Sequence, residues 1–462
     1  MNRLESVFMA YRIGSGQGFY GDDVLRALPM ITGGYVDIVC FEALSELTLA
    51  ILQKDKLANP KRGYTFDVKI IAQQILPEAF KRKIPLVTNG GGLNPQAAAE
   101  MVRETAAAMG LKGLKIATVS GDDLLGRLGE LQAAGETLTN LESGEALADA
   151  ANTNFITANV YLGAAPIVEA LRQGADMVIT GRVADPCLYL AAMVARYGWA
   201  WDDWDRLASG IVAGHLLECT GQVVGGNSLA LIHETDAGTL PYLGYPIAAV
   251  EADGSFVLTK TPESAGAVTL ETVKEQLLYE IHDPARYITP DVVANLTTLR
   301  LEAAGTDAVR VSGVTGTPRT DTLKLNLGRL EGFSRELIFS VGWPEAWLKV
   351  EQLRTALGVI FQRNPAIERV EYSYLGANSL YGSVGTLADD PIEVIVRVMF
   401  TSQDQDALKQ VVRQINTLGL SGPAGMSVSG TTVGGDARVI LGLWPTLVQR
   451  ERVQAQVEYW EV

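Results

Sequence analysis

Residues 7–28 read VFMAYRIGSGQGFYGDDVLRAL, and the fold turns on how this stretch is read. The apolar run Val7–Ile13 predicts a strand, and Val24, Leu25, Ala27 and Leu28 predict a helix. Between them, Gly16-Gln17-Gly18-Phe19-Tyr20-Gly21 matches the G-x-G-x-x-G dinucleotide fingerprint in its required context, strand before and helix after. Glycines permit positive φ and close backbone approach. Glu42 follows Gly21 at roughly the ~20-residue spacing of the acid that holds a ribose. Asp22 and Asp23 work against a phosphate cradle: at a helix start they cap it and complement its dipole, but they repel a pyrophosphate. The stretch therefore reads as a glycine turn that brings Asp22 or Asp23 to a crevice, with Gly18 as a substrate-binding candidate. An NAD(P)-dependent oxidoreductase is the rival enzymatic reading.

The pattern repeats down the first 200 residues. Strand candidates Val36–Phe41, Ile84–Thr88, Leu114–Val119, Phe155–Tyr161 and Asp176–Thr180 alternate with helix candidates near 43–54, 66–80, 95–109, 122–134, 164–173 and 186–198. Such alternation predicts a Rossmann-like α/β domain with a parallel sheet covered on both faces and a ligand crevice at the strands' carboxyl ends. From about residue 205 the texture changes. A helix near 205–222 gives way to strand-like segments at Leu229–His233, Ile247–Ala252 and Ser255–Thr259, a helix near 269–281, and a β-rich stretch over 296–341. Helices at 344–363 and 404–418 follow, with strands near Arg369–Tyr374 and Glu393–Phe400 and strand-like segments around 437–443 and 453–460. This predicts an α+β second domain with an antiparallel sheet. The domains are taken as 1–225 and 226–462, with the boundary between 205 and 270.

Composition narrows the function classes. The chain has 462 residues and a net charge of −15, which disfavours nucleic acid and anionic membrane as partners. No apolar run is long enough to span a bilayer, and the first residues lack signal-peptide order. Cys40, Cys187 and Cys219 form no disulfide framework and no CxxC pair. A cytoplasmic enzyme is expected. Its apolar content of 47% suggests a homo-oligomer.

The polar loops after the strands carry the candidate chemistry. Thr88-Asn89-Gly90-Gly91-Gly92-Leu93-Asn94-Pro95 offers backbone N–H groups to a carboxylate or phosphate, with Asn94 as helix cap and Pro95 as first helical residue. Asn89, Gly90, Gly91 and Asn94 are thus substrate-binding candidates, beside Glu42. Asp122 in Gly121-Asp122-Asp123 stands at a helix start, where capping is the simpler reading. In Gly181-Arg182-Val183-Ala184-Asp185-Pro186, Arg182 is suited to clamp a carboxylate and Asp185 to act as general base or to orient Arg182. In His215-Leu216-Leu217-Glu218-Cys219, helical spacing puts His215, Glu218 and Cys219 on one face. That set supports acid–base work by His215 or Glu218, or a divalent metal such as zinc. Asn227 ends a further close-approach loop. His233 reads as a strand surface position and His282 as part of a helix stop.

Taken together, GSGQGFYGDD (14–23), FEALSELTLAIL (41–52), VTNGGGLNPQA (87–97), ATVSGDDLL (117–125), YLGAAPIVEAL (161–171), GADMVITGRVADPCLYLA (174–191), AGHLLECTGQVVGGN (213–227), TVKEQLLYEIHDPARYITPDV (272–292), YLGANSLYG (374–382) and LSGPAG (420–425) resemble the acyclic terpene utilisation AtuA family, also catalogued as DUF1446. The resemblance implies a place in the catabolism of branched acyclic acids, beside acyl-CoA enzymes. It also implies that the ferredoxin-like C-terminal appendix of longer members is missing here. The resulting expectation is an enzyme acting on a branched carboxylate or acyl-CoA by hydratase- or lyase-type acid–base chemistry. Asp185, Glu218, His215 or Asp22 would move protons, and Arg182 and the Asn89–Asn94 backbone would hold the anion. No motif demands a cofactor, so a divalent metal and a CoA-linked substrate stay open. A non-catalytic binding subunit of an acyl-CoA pathway is the alternative outside enzymology.

Overall fold

The structure is a computed structural model describing residues 10–151, 153–382, 389, 391–429 and 437–462. Val7–Met9, expected to open the first strand, lie outside the described residues. Five strands run parallel: β1 (Tyr11–Gln17), β2 (Ile38–Phe41), β3 (Leu86–Thr88), β4 (Lys115–Ser120) and β5 (Met177–Thr180), in the order β1-β2-β3-β5-β4. The two-residue period of a strand sorts β2 between two cores. Ile38 and Cys40 join one with helices Ala165–Arg172, Cys187–Tyr197 and Trp204–Glu218. Val39 and Phe41 join the other, with helix Pro95–Ala108 and the helical segment Asp67–Arg82. Burial on both faces is why these strands read as unbroken apolar runs. The α/β class with a parallel sheet is therefore present.

The antiparallel strands expected in a second domain extend this same sheet. β6 (Pro246–Val250), β7 (Phe256–Lys260), β8 (Arg300–Gly305) and β9 (Ala308–Ser312) continue it from β1 in the order β8-β9-β7-β6-β1, and β10 (Gln456–Glu461) pairs antiparallel with β4 at the other edge, making ten strands. Leu229–His233 is a series of turns, not a strand. The first compact unit accordingly holds the residues up to Ala151 together with Phe155–Gly328 and Leu443–Val462, so 226–328 belong with the parallel strands. Separate from this sheet, Tyr287–Ile288, Val293–Asn295 and Thr315–Thr317 form a small antiparallel one.

The second unit comprises Asn152–Asn154 and Arg329–Gly442. Its elements run strand (the later part of Thr322–Gly342), helix Ala346–Gln362, strands Arg369–Leu375 and Glu393–Ser402, helix Gln405–Asn416 and strand Met426–Ser429. Numbered within the unit, the antiparallel order is 4-1-3-2, the split βαββαβ arrangement of ferredoxin-like folds. Leu337, Phe339, Val350, Leu353, Val396, Phe400, Leu408 and Val411 fill its core. A ferredoxin-like unit thus lies inside this chain, before β10.

The topology also locates a crevice. β3 and β5 are neighbours. β3 leads into Pro95–Ala108 in one core, and β5 into Cys187–Tyr197 in the other. Where adjacent parallel strands send their chains to opposite faces, their carboxyl ends part, and that switch point is where ligands bind in such sheets.

Candidate active site

The glycine fingerprint serves packing. Gly14 and Gly16 lie inside β1 rather than in a turn after it. A Cβ on Gly16 would meet the Phe41 ring at 2.4 Å, and one on Gly14 would meet Met30 Sδ at 2.4 Å. A Cβ on Gly18 would meet Thr220 Oγ1 at 2.9 Å and the Glu218 carbonyl at 3.0 Å, so this position seats the end of helix Trp204–Glu218. The Gly18 N–H donates to Asp22 Oδ2 at 3.0 Å, and the same carboxylate accepts from the Thr220 and Tyr245 hydroxyls at 3.2 and 2.6 Å. The helical stretches that follow are only Val24–Ala27 and Leu28–Thr32. The expectation of Asp22 as a catalytic acid gives way to a latch between segments. The amide a phosphate would need is already bonded.

The TNGGGLN loop is also internally bonded. Asn89 N–H donates to Phe41 O, Gly90 N–H to Thr88 Oγ1, Gly92 N–H to Asn89 O, Leu93 N–H to Gly63 O and Asn94 N–H to Gly91 O. An anion cradle from this backbone is therefore not what the geometry offers. Gly90 and Gly91 are small because a Cβ would fall 2.7 Å from Thr65 Oγ1 and 2.6 Å from the Thr180 carbonyl respectively. Asn94 caps its helix as expected and ties the loop to Pro60 and Arg62 carbonyls. Asn89 donates to Glu42 Oε1 at 2.9 Å and accepts from Ala43 N–H at 2.7 Å, and Glu42 also accepts from Leu44 N–H at 2.7 Å. Glu42 is a buried floor group, with its carboxyl pushed well up by burial and by Asp185. Asn227 is exposed in a left-handed turn, φ 58°.

Arg182 is the hub. It is 3% exposed, and its Nη1 donates to Leu44 O at 2.6 Å and to Asp185 Oδ1 at 2.7 Å. Its guanidinium sits 4.2 Å from the centre of the Tyr161 ring, a desolvated cation–π contact. Its own backbone is pinned: Arg182 N–H donates to Asp122 Oδ2 at 2.9 Å, and Leu162 N–H donates to Arg182 O at 3.3 Å. Asp122 also accepts from Asn159 Nδ2 at 2.8 Å, so it anchors the Arg182 loop rather than capping a helix. Burial opposes the Arg182 charge, but Asp185, Tyr161, Glu46 and Glu42 more than restore it. Nη1 is taken up by Leu44 O and Asp185, while Nε lies buried without a hydrogen-bond partner; from this buried position Arg182 organises the site rather than standing open as the expected bidentate clamp.

Sequence reasoning missed four residues of the site, three of them around Arg182. The Tyr161 hydroxyl donates to Glu46, Lys324 Nζ lies 3.4 Å from Glu46 Oε1, and Lys324 stands 4.7 Å from the Tyr161 ring centre. Although burial works against ionisation, Arg182, the Tyr161 hydroxyl and Lys324 hold the Glu46 carboxyl down at about 2. The fourth is Tyr287, against His215 with ring centres 5.6 Å apart. Glu46 and Tyr161 stood inside quoted motifs, but a Glu in a helical run and a Tyr ending a strand carry no local mark of function.

His215 and Glu218 do share a face: Nδ1 and Oε1 are 2.8 Å apart, both residues are buried, and His215 Nε2 and Glu218 Oε2 have no hydrogen-bond partner. Burial alone would lower His215, but Glu218 raises it above its ordinary value. Cys219 ends the helix, outside this pair, and among the described residues no three His, Cys, Asp or Glu side chains converge as a metal would need.

Asp185 is the acidic group that faces open space. Its side chain is 32% exposed and helps line a cavity of about 550 Å³ with Tyr161, Pro186, Arg286, Tyr287, Ile288, Leu323, Lys324 and Leu447. Burial, with the charges of Glu218 and Glu46, raises the Asp185 carboxyl to about 7 against the pull of Arg182. The walls are mainly apolar, and two exposed cations, Lys324 and Arg286, stand among them. A local pair of cations in so acidic a chain suits an anion with an apolar body. A second cavity of about 250 Å³, near Val224, Gly225 and Glu234, lies away from this cluster.

Fold and site together define an α/β protein with a carboxylate, a fixed guanidinium and a cation-edged apolar cavity beside its switch point. The chain belongs to the acyclic terpene utilisation AtuA family, whose model matches residues 11–459, and that membership supports a role in acyclic terpene utilisation. No curated protein matches the chain. A solved hydantoinase/carbamoylase-family amidase from Burkholderia phymatum aligns at 12% identity over 30% of this chain and 32% of that one, with a TM-score of 0.15. The chain thus spans about a third of that amidase's length, and the likeness carries no argument. Among the described residues, no helix is long and apolar enough to cross a membrane.

Proposed function

We propose that the chain is an acid–base enzyme of hydratase or lyase type that acts on a branched carboxylate or its acyl thioester. One observation carries the reading: Asp185, raised to about 7, lines the apolar cavity while hydrogen-bonded to a buried Arg182. A carboxyl group that titrates near the working pH is matched to taking and returning a proton. Asp185 removes the proton α to the substrate carbonyl. Lys324 and Arg286 hold the anionic end and offset charge as it develops on the oxygen. Arg182 keeps Asp185 aimed. The branched chain lies along Leu323, Ile288 and Leu447. No cofactor enters this scheme, and the assembly state has no part in it.

The test is hydrogen exchange. Purified protein is incubated in D₂O with branched acids and their thioesters, and deuterium at the α carbon is followed by NMR. Asp185→Asn is expected to slow exchange by ~10²–10⁴-fold in a protein with unchanged melting temperature. Exchange that survives the substitution, or no exchange and no binding across the panel, overturns the reading.

A further inference from the structure

Three features put the His215–Glu218 pair directly behind Asp185. Helix Trp204–Glu218 presses on the turn that carries Asp185: a Cβ on Gly214 would lie 2.6 Å from the Pro186 carbonyl and 2.7 Å from its Cα. Tyr287 lines the cavity on one side and packs against the His215 ring on the other. The pair itself is closed off, with His215 2% exposed and its Nδ1 held by Glu218. Gln276 Nε2 fixes the helix from behind by donating to His215 O at 3.1 Å. A substrate in the cavity therefore meets Asp185 and Tyr287, not the imidazole.

We infer that His215 and Glu218 are positioning residues whose joint charge sets whether Asp185 carries a proton. This rests on the reading of Asp185 as the proton-moving group. The charged and titratable groups around Asp185 are Arg182 on its own turn, Glu42 and Glu46 beyond β2, Tyr161 just after strand Phe155–Val160, Lys324 on strand Thr322–Gly342, Arg286 and Tyr287 lining the same cavity, Cys187 on the next helix, and Glu218 from behind. Around His215 stand Glu218, Glu280 and Tyr287. Glu218, paired to an imidazole, the base whose charge changes near neutral pH, reaches Asp185. Its charge opposes ionisation of Asp185, and a protonated His215 offsets that charge. Neutralising one member of the pair must then move Asp185 in the direction opposite to neutralising the other.

The experiment reads the Asp185 carboxyl by ¹³C NMR of aspartate-labelled full-length protein, with its resonance assigned by loss in Asp185→Asn. Glu218→Gln is expected to move the Asp185 midpoint to lower pH, and His215→Gln to higher pH, each by ~0.5 unit or more. A purely structural pair gives no such opposed shifts. Midpoints that stay put, or move together, overturn the inference. Should either variant fail to fold, Asp185→Asn supplies the reciprocal measurement. Loss of that charge should move the His215 ring titration to lower pH in ¹⁵N spectra, and an unchanged ring titration overturns the inference. If the midpoints stay put while Asp185→Asn abolishes exchange, the pair's role falls and the proposed chemistry stands. Opposed shifts with exchange intact in Asp185→Asn give the reverse.

Discussion

Asp122 lies buried at the end of β4 and accepts hydrogen bonds from Arg182 N–H at 2.9 Å and Asn159 at 2.8 Å. Burial lifts its carboxyl to about 6. The folded state therefore holds a proton here that the unfolded chain has released, across the window from about pH 4 to about pH 6. Stability contributed by this group is present below that window and lost as pH rises through it. A shift of about two units corresponds to a loss on the order of 3 kcal/mol. In Asp122→Asn, whose amide oxygen still accepts both hydrogen bonds, that loss should vanish. Relative to wild type, the variant gains ~3 kcal/mol between pH 4 and pH 7, read as urea midpoints at both pH values; parallel profiles for the two proteins would sink the argument. At this scale the sequence was informative about residue types and poor about partners. The loop GRVADP announced an Arg–Asp pair, and helical spacing announced His215 with Glu218. Glu46, Tyr161 and Lys324 were illegible because their contacts join residues 115 and 278 positions apart. Hydrogen bonding within the fold also recast two roles: Arg182 Nη1 is taken up by Leu44 O and Asp185, and the Asn89, Gly90, Gly92, Leu93 and Asn94 amides are bonded within the fold.

Among the elements, β1 shows why a motif can be present without its usual purpose. Glycine in a strand is unfavourable by ~0.5–1 kcal/mol relative to alanine, so Gly16→Ala would stabilise β1 if space allowed. Space decides otherwise: the added methyl falls 2.4 Å from the Phe41 ring, and Phe41 is buried with Val39 against helices on that face. Overpacking of this kind costs ~1–3 kcal/mol. Gly129, inside helix Leu128–Ala133, is the internal control. Nothing lies within 4 Å of its Cβ position, and the helix gains ~0.5–1 kcal/mol from alanine. Gly16→Ala should thus lower the thermal midpoint and Gly129→Ala raise it. The same sign for both would show that backbone entropy, not Phe41, governs β1. The sequence marked strand-then-glycine correctly. It placed the turn too early because a glycine packed against an aromatic of the neighbouring strand has no local signature, whereas Pro95 after Asn94 marked its helix start from sequence alone.

For the whole molecule, the unanticipated feature is the return of the chain's end to the first sheet. The segment near 453–460 read as strand, but nothing local says that it pairs with residues 115–120. Gln456↔Ser120 through Glu461↔Lys115 are in register, Val462 N–H donates to Leu114 O, and Gly113 N–H donates to Val462 O. Gly121 is left bare because a Cβ would fall 2.2 Å from the Gln454 carbonyl. β10 thereby covers the edge of β4, the strand that delivers Asp122 to the Arg182 loop. A chain ending at Val453 would present β4 as an unpaired apolar edge, the kind of surface that recruits other chains. Its expected behaviour is a lower melting temperature and concentration-dependent association in light scattering. A synthetic peptide of residues 454–462 should reverse both, since a strand added in trans can supply the same main-chain hydrogen bonds. The control is the same peptide carrying Gln456→Pro and Glu458→Pro: these N–H groups lie in phase with the Val462 N–H that donates to Leu114 O and so face β4, two ladder donors are removed, and rescue should fail. A truncated chain that stays monomeric at unchanged melting temperature would mean that β4 needs no partner, and that the Asp122 anchor is fixed by Asn159 and the Arg182 loop alone.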